Sequence, residues 1–535
     1  VSTATERSLP SGSLLRSNLV VAVGTALSRL TGLIRVMVFA RIVGQAAIAD
    51  AYNSANGSPN AVYELLLGGV LSASLIPVFT KQAEDHDDEA TSAVITVAVL
   101  AVTALTLVAV LAAPLIFHLF ALHVDKAVDA DLYRAAGTAL TRIFLIQIFF
   151  YGITALATSL LNAHRRFFAA AWSPVLSNLV IIASLFIVPH VVSGKPQIAE
   201  ILTNDRLKWT LALGATAGIA VMAVALLPAL RAANLRLRWN PDFRHPAIRN
   251  LTKLSTWTLG YVVFNQIAVV VVQNLADPGS GHLDAYAKAY ILFVLPHGLL
   301  AMSIATTFEP EMARNVKRRS KAGFIERTSL GVRLVALMTF PAGLLMFTLR
   351  RPIVGIALQH GNFTAANALV TSRALGGFAI GLVGFSVYLF TLRAFYAHGD
   401  ARTPFIINIF ENLINIVLGV ALVGRFGVMG LALSFAFAYL ICGVWSIFVL
   451  GDKVPGFPVG ALLLSVLRIG LASVVMAEAA WLVARAVGDN SGFGALVRVL
   501  LASVVGLAVY VAALIVLRAP ELDQLRRRFR PEQAR

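Results

Sequence analysis

The chain reads as an all-α, polytopic membrane protein of about fourteen transmembrane helices, and three observations carry that reading. Its 535 residues are 58% hydrophobic and only 13% charged, about half the charged share of a water-soluble domain. The apolar residues come in runs of roughly 20, the length a helix needs to cross hydrocarbon. The basic residues, which give a net charge of +17, fall mostly in the short links between those runs.

The expected spans are 15–43, 62–80, 91–120, 137–160, 171–190, 210–230, 253–275, 286–306, 329–349, 371–396, 404–424, 427–449, 461–487 and 495–518. The first is unusually long and holds Arg29, Arg35 and Arg41. Charge in a bilayer snorkels, lines a wet cavity or meets an anion. The second is interrupted by Gly68 and Gly69 and has Glu64 near its start. These spans divide the chain into an N-terminal lobe at 1–230 (helices one to six), a linker at 231–252, a C-terminal lobe at 253–450 (helices seven to twelve), helices thirteen and fourteen at 451–518, and a basic tail at 519–535. GGVLSASLIPVFTKQ at 68–82 and HGLLAMSIATTFEPEMAR at 297–314 form a weak internal echo, the kind that repeated transporter halves leave.

Arg231, Arg236, Arg238, Arg244 and Arg249 crowd one loop, Arg165 and Arg166 another, Arg314 to Arg327 a third, and Arg526 to Arg535 the tail. The links 45–61, 121–136 and 276–285 are poor in Lys and Arg. The link 191–209 is mixed, with Lys195, Arg206 and Lys208 against Glu200 and Asp205, and the positive-inside rule then places both termini in the cytoplasm and supports an even number of spans. That placement also argues against nucleic acid as the partner of the positive charge. The single cysteine, Cys442, lies in an apolar run and excludes an internal disulfide. The first run lacks a small-x-small cleavage pattern, so no cleavable signal peptide is expected. No GxxxxGK[ST] or HExxH motif occurs, so an ATPase or zinc-hydrolase centre is not expected. No cofactor is indicated. The coupling ion stays open, with the membrane potential as a candidate energy source.

SRLTGLIR at 28–35, ADAYNSANGSPN at 49–60 and GGVLSASLIPVF at 68–79 resemble the N-terminal signature of the MurJ/MviN family. LPHGLLAMSIATTFEPEMAR at 295–314, HGNFTAANA at 360–368, LRAFYAHGDARTP at 392–404, Asn415 and GVMGLALS at 427–434 resemble its later signatures, in order. The resemblance implies two six-helix lobes around a central cavity, with two further helices grooved for a lipid tail. It implies alternating access that carries lipid II, an undecaprenyl-diphosphate-linked disaccharide peptide, across the inner membrane of a bacterium for peptidoglycan synthesis. Membrane phospholipids and other cell-wall synthesis proteins are the further partners it suggests.

Arg29 and Arg35 match cavity arginines of the family, and guanidinium groups offer bidentate donors to a diphosphate. A bend at Gly32 would bring the two together. Arg41 reads as an interfacial anchor. Asp50 matches a family acidic residue and is assigned gating or charge balance, with a helix-cap role as the alternative. Pro59 is expected to break the helix and free backbone groups beside Asn60. The chain departs from the family pattern where Tyr63 and Glu64 replace a pair of arginines, and where Ile291 replaces a basic residue. Lys288, a turn away, is the expected substitute, and Glu64 is expected to pair with Arg29 or Arg35 in an empty cavity. Asn265 and Gln273, eight apart as are Gln266 and Asn274, share a helix face that suits saccharide or peptide groups, or helix contacts. Glu411, Asn412 and Glu478 are intramembrane polar groups that relay a proton, hold a cation or bond a neighbouring helix. RAFYAHGDARTP reads as a structural elbow. A cation-coupled small-molecule exporter and a membrane scaffold for envelope synthesis remain as alternatives to the flippase.

Overall fold

A computed structural model describes residues 11–64, 75, 78–82, 84–85, 87–164, 166–233, 238–246 and 256–519, with backbone alone at 11–20, 22 and 256–259. Every regular element among the described residues is helical. The first unit comprises Val1–Ile42, Ala51–Leu122 and Val128–Gln266. The second comprises Val43–Asp50, His123–Ala127 and Ile267–Arg535. The division falls inside a helix, α9 below, and two short stretches of the first half belong to the second unit.

The first unit contains α1 (Ser11–Val43), most of α2 (Ala47–Tyr63), α3 (Asp88–Leu111), α4 (Ala113–Phe120), α5 (Ala130–Phe144), α6 (Gln147–Ala163), α7 (Phe167–Leu185) and α8 (Asp205–Val224), and the start of α9 (Thr256–Leu275). Small residues bring its helices close. A Cβ on Gly152 would lie 2.6 Å from Val102, and one on Gly218 2.7 Å from Ile181. Tyr63, Leu75, Phe79, Val94, Val102, Ile148 and Leu160 form its main apolar cluster.

The second unit contains α10 (His282–Pro296), a π-helical turn at His297–Ala301, α11 (Met302–Lys317), α12 (Lys321–Thr348), α13 (Arg350–Leu358), α14 (Ala365–Ile380), α15 (Leu382–Ala397), α16 (Arg402–Phe426), α17 (Val428–Lys453), α18 (Val459–Ala486) and α19 (Gly492–Val516). Its centre is aromatic. Phe293 stacks on Phe378 at 5.3 Å and meets Phe435 edge-on at 5.7 Å, and Phe385 meets Tyr439 edge-on at 4.9 Å. Such pairs each contribute about 0.5–1.5 kcal/mol beyond their buried area. α14 and α15 meet at a bend of 47°, and glycines at the bend press against α17. A Cβ on Gly381 would lie 2.5 Å from the Cα of Ala436, and one on Gly384 2.6 Å from that of Leu440. Many side chains of α18 and α19, such as Leu467, Val475, Leu500 and Val504, are exposed hydrocarbon, as lipid-facing helices require.

Ten helices among the described residues are long and apolar enough to span a membrane, eleven if the bent pair is one span, rather than the expected fourteen. The other three expected spans are α1, the 62–80 stretch, most of which lies outside the described residues, and α9, whose described apolar part is only Gly260–Leu275. Nothing is described of Arg165, Arg236, Gly68 or the tail from 520.

The 45–61 stretch is not a connecting loop: α2 begins at Ala47 and runs through Pro59 without a break. Pro59 cannot donate to the Ala55 carbonyl, and the Ser58 hydroxyl donates to it instead at 2.7 Å. That bond supplies the donor that proline removes.

Candidate functional site

In the first unit, a narrow stripe of α1 packs against α7. The Asn178 side-chain amide donates to the Ser28 carbonyl and to the Thr31 hydroxyl, both at 3.1 Å, and a Cβ on Gly24 would meet the Trp172 ring at 2.8 Å. α1 continues through Gly32 as one helix. On a regular helix Arg35 falls on the packed stripe, and Arg29 leaves the helix about 120° away. Both are half-buried, whereas Arg41 is exposed. The charge of Arg35 reaches the hydroxyls of Tyr52 on α2 and Tyr151 on α6. Tyr52 is itself held between the rings of Phe39 and Phe144. Among the described residues neither Arg29 nor Arg35 enters an ion pair. Half-buried Glu64 pairs with neither, and Asn60 is exposed beside buried Pro59.

The second unit treats its charges differently. Asp50, wholly buried, opens α2 with both carboxylate oxygens occupied. Oδ2 accepts from the backbone N–H of Gly279 at 3.0 Å and of Gly281 at 2.7 Å, and Oδ1 accepts from that of Asp284 at 2.8 Å. The two glycines have φ of 102° and 86°, a region that side chains disfavour, and this conformation aims their N–H groups at the carboxylate. Asp284 in turn forms a buried ion pair with Lys288 one turn along α10, and the Lys288 ammonium lies 5.4 Å over the ring of Phe363. Gln45 accepts from Thr371 at 3.1 Å, and the Asp125 N–H donates to the Pro278 carbonyl at 2.9 Å. Segments 43–50, 123–127, 277–288 and 363–371 therefore form one hydrogen-bonded knot.

Lys288 thus meets Asp284 rather than standing free as a substitute cavity cation. The amide of Asn265 donates to the Tyr261 carbonyl of its own helix at 2.9 Å, and that of Asn274 to Val270 at 2.9 Å. Gln273 keeps a buried oxygen without a hydrogen-bond partner. The sequence reading missed Tyr52, Tyr151, Asp284 and Phe363. The glycine-spaced run DPGSGHLD at 277–284, which ends in an acid at a helix start, was the available signal for Asp284.

The elbow between α15 and α16 holds no such site. Asp400 caps α16 by accepting from the N–H and hydroxyl of Thr403 at 3.0 and 2.7 Å, and Lys453 reaches it at 2.5 Å. Partial burial opposes its ionisation, but these donors outweigh burial and hold it at about 2.

The family profile described as lipid II flippase MurJ matches residues 39–517. The chain belongs to that family. It is 28% identical over 430 residues to the lipid II flippase MurJ of Burkholderia cenocepacia, covering 79% of this chain and 80% of that protein. It is 25% identical to the probable lipid II flippase MurJ of Thermotoga maritima across 96% of this chain and 99% of the other. A solved structure of a lipid II flippase MurJ in an inward closed conformation superposes with a TM-score of 0.76 at 24% identity, over 94% of this chain and 99% of that one. An inward-facing multidrug resistance transporter of the MATE family superposes at 0.63 with 14% identity, over 81% and 95%. At these identities the structures establish a shared fold. The family and the apolar helices make the chain a multi-pass membrane protein.

Proposed function

We propose that this chain moves lipid II from the inner to the outer leaflet of the bacterial cytoplasmic membrane by alternating access, without covalent chemistry and with both termini cytoplasmic. Membership of the flippase family supports the cargo. The observation that carries the chemistry is that Arg29 and Arg35 sit half-buried in a membrane helix with no carboxylate paired to them among the described residues. Guanidinium groups held this way are matched by a diphosphate, while the polyprenyl tail stays in lipid. Asn60, Asn265 and Gln273 are the candidate contacts for the sugar and peptide.

Asp50 serves the gate. Its carboxylate ties the start of α2 to the 279–284 stretch, which must separate if the knot is to open, and Lys288 becomes available to an anion only when Asp284 releases it. The likeness to a multidrug transporter extends to fold alone, so the small-molecule exporter is not favoured.

The decisive experiment is replacement of Arg29 and Arg35 by alanine, with growth rescue and lipid II translocation measured at matched expression. Loss of both readouts is the expected result. Unchanged translocation would remove the arginines from the site.

A further inference from the structure

Among the described residues of the second unit, Glu411 is the buried carboxylate that neither the knot nor the proposed diphosphate site uses. Glu411 lies midway along α16 and is 1% exposed, and its Oε2 atom has no hydrogen-bond partner among the described residues. Two of its polar neighbours on the helix are engaged elsewhere. The Asn412 amide donates to the Asn408 carbonyl at 2.9 Å, and the Asn415 oxygen accepts from the Ser434 hydroxyl at 2.9 Å. The groups that feel the charge of Glu411 are Tyr286 and Tyr290 on α10 and Cys442 on α17. On α15, Arg393 is paired with Glu309 at 2.5 Å, Tyr388 packs on Tyr439, and Tyr396 is exposed. The stretch 267–275 of α9 has no titratable side chain.

A buried carboxylate without a cationic partner is costly when ionised and takes up a proton instead. A metal cation would require several oxygen ligands at once, and no group of three or more His, Cys, Asp or Glu side chains that could hold one gathers among the described residues. We propose that Glu411 is a proton-binding site, and that its occupancy biases the conformation of α10. Tyr286 and Tyr290 flank Lys288 on the same helix that ends at the Asp50 cradle. Loss of the proton leaves a charge that tyrosine hydroxyls or entering water must answer. Either response displaces α10, and with it the knot. The coupling half of this inference rests on the transport reading; proton binding does not.

The test uses the full chain in lipid nanodiscs and in liposomes. Infrared spectra of substrate-free protein at neutral pH are expected to show a protonated carboxyl stretch that Glu411→Gln removes. Lipid II translocation, with the membrane potential clamped at zero, is expected to respond to an imposed pH gradient in the native chain and to lose that response in Glu411→Gln, while Glu411→Asp retains it. Absence of the carboxyl band, an unaltered pH response in Glu411→Gln, or replacement of the proton response by a sodium response would each overturn the proposal. Should the native chain move no lipid II, the transport reading fails, and the infrared band still decides whether Glu411 binds a proton.

Discussion

The arginines of α1 and the Asp50–Asp284–Lys288 knot are both charge in a membrane protein, yet they are handled in opposite ways. In the knot every charge has an answer: three backbone N–H groups for Asp50, an ammonium for Asp284, and a carboxylate and an aromatic ring for Lys288. On α1, the charge of Arg35 acts on the hydroxyls of Tyr52 and Tyr151, and neither Arg35 nor Arg29 is paired with a carboxylate among the described residues. A fully answered charge specifies and locks a conformation. A charge left half-answered retains its pull on a ligand. The knot's charges are fully buried and those of α1 half-buried, and the two also differ in whether the protein or the substrate supplies the counter-charge.

Four changes sharpen or break that contrast. The largest effect is functional: Arg35→Ala should abolish translocation while shifting the thermal unfolding midpoint in detergent very little, and Arg35→Lys should restore only part of the transport because the bidentate fork is lost. A large fall in stability would place Arg35 with the structural charges.

Next is Asp284→Asn, which strands the Lys288 ammonium and should cost about 3–5 kcal/mol, with the double change Asp284→Leu and Lys288→Met recovering most of it. Failure of the double change to recover stability in the same unfolding assay would show that the pair does more than neutralise itself.

Asp50→Asn presents an amide to N–H groups that need an acceptor. One unanswered donor costs about 1–3 kcal/mol, and hydrogen exchange at residues 279–284 should accelerate. Unchanged exchange would mean that the carboxylate does not hold the loop.

The smallest effect is at Asp400. Its lowered value of about 2 means that the capping bonds stabilise the fold above the ordinary carboxylate value of about 4 and fade as the pH falls toward 2. Asp400→Asn should therefore cost no more than about 1 kcal/mol near neutrality, and the cost should shrink as the pH falls through 2, as read from unfolding across that range.

Helix positions were legible wherever apolar runs were long. The limits of α16, α17, α18 and α19 lie within a few residues of those read from hydropathy. α2 was not legible, because ADAYNSANGSPN is polar and small and its helix is held by close packing and by the Ser58–Ala55 bond rather than by hydrophobicity. Asp50, Arg29 and Arg35 were visible as motif residues, but their circumstances were not. Sequence spacing places Lys288 one turn from Asp284, yet the missing cavity cation suggested a free lysine. The Gly279 and Gly281 donors come from a loop more than two hundred residues away from Asp50, a separation that no local pattern reports.

The glycine seam between the α14–α15 bend and α17 has a practical consequence for spectroscopy. Backbones touch there, so the seam cannot carry a reporter group. By contrast, a Cβ on Gly57 or Gly424 would meet nothing within 4 Å, and neither position has the positive φ that strains a side chain. The chain's single native cysteine, Cys442, is fully buried. Cysteines introduced at positions 57 and 424 would therefore accept thiol-reactive dyes or spin labels over a quiet background, one in each unit, without first stripping the protein of its own thiol.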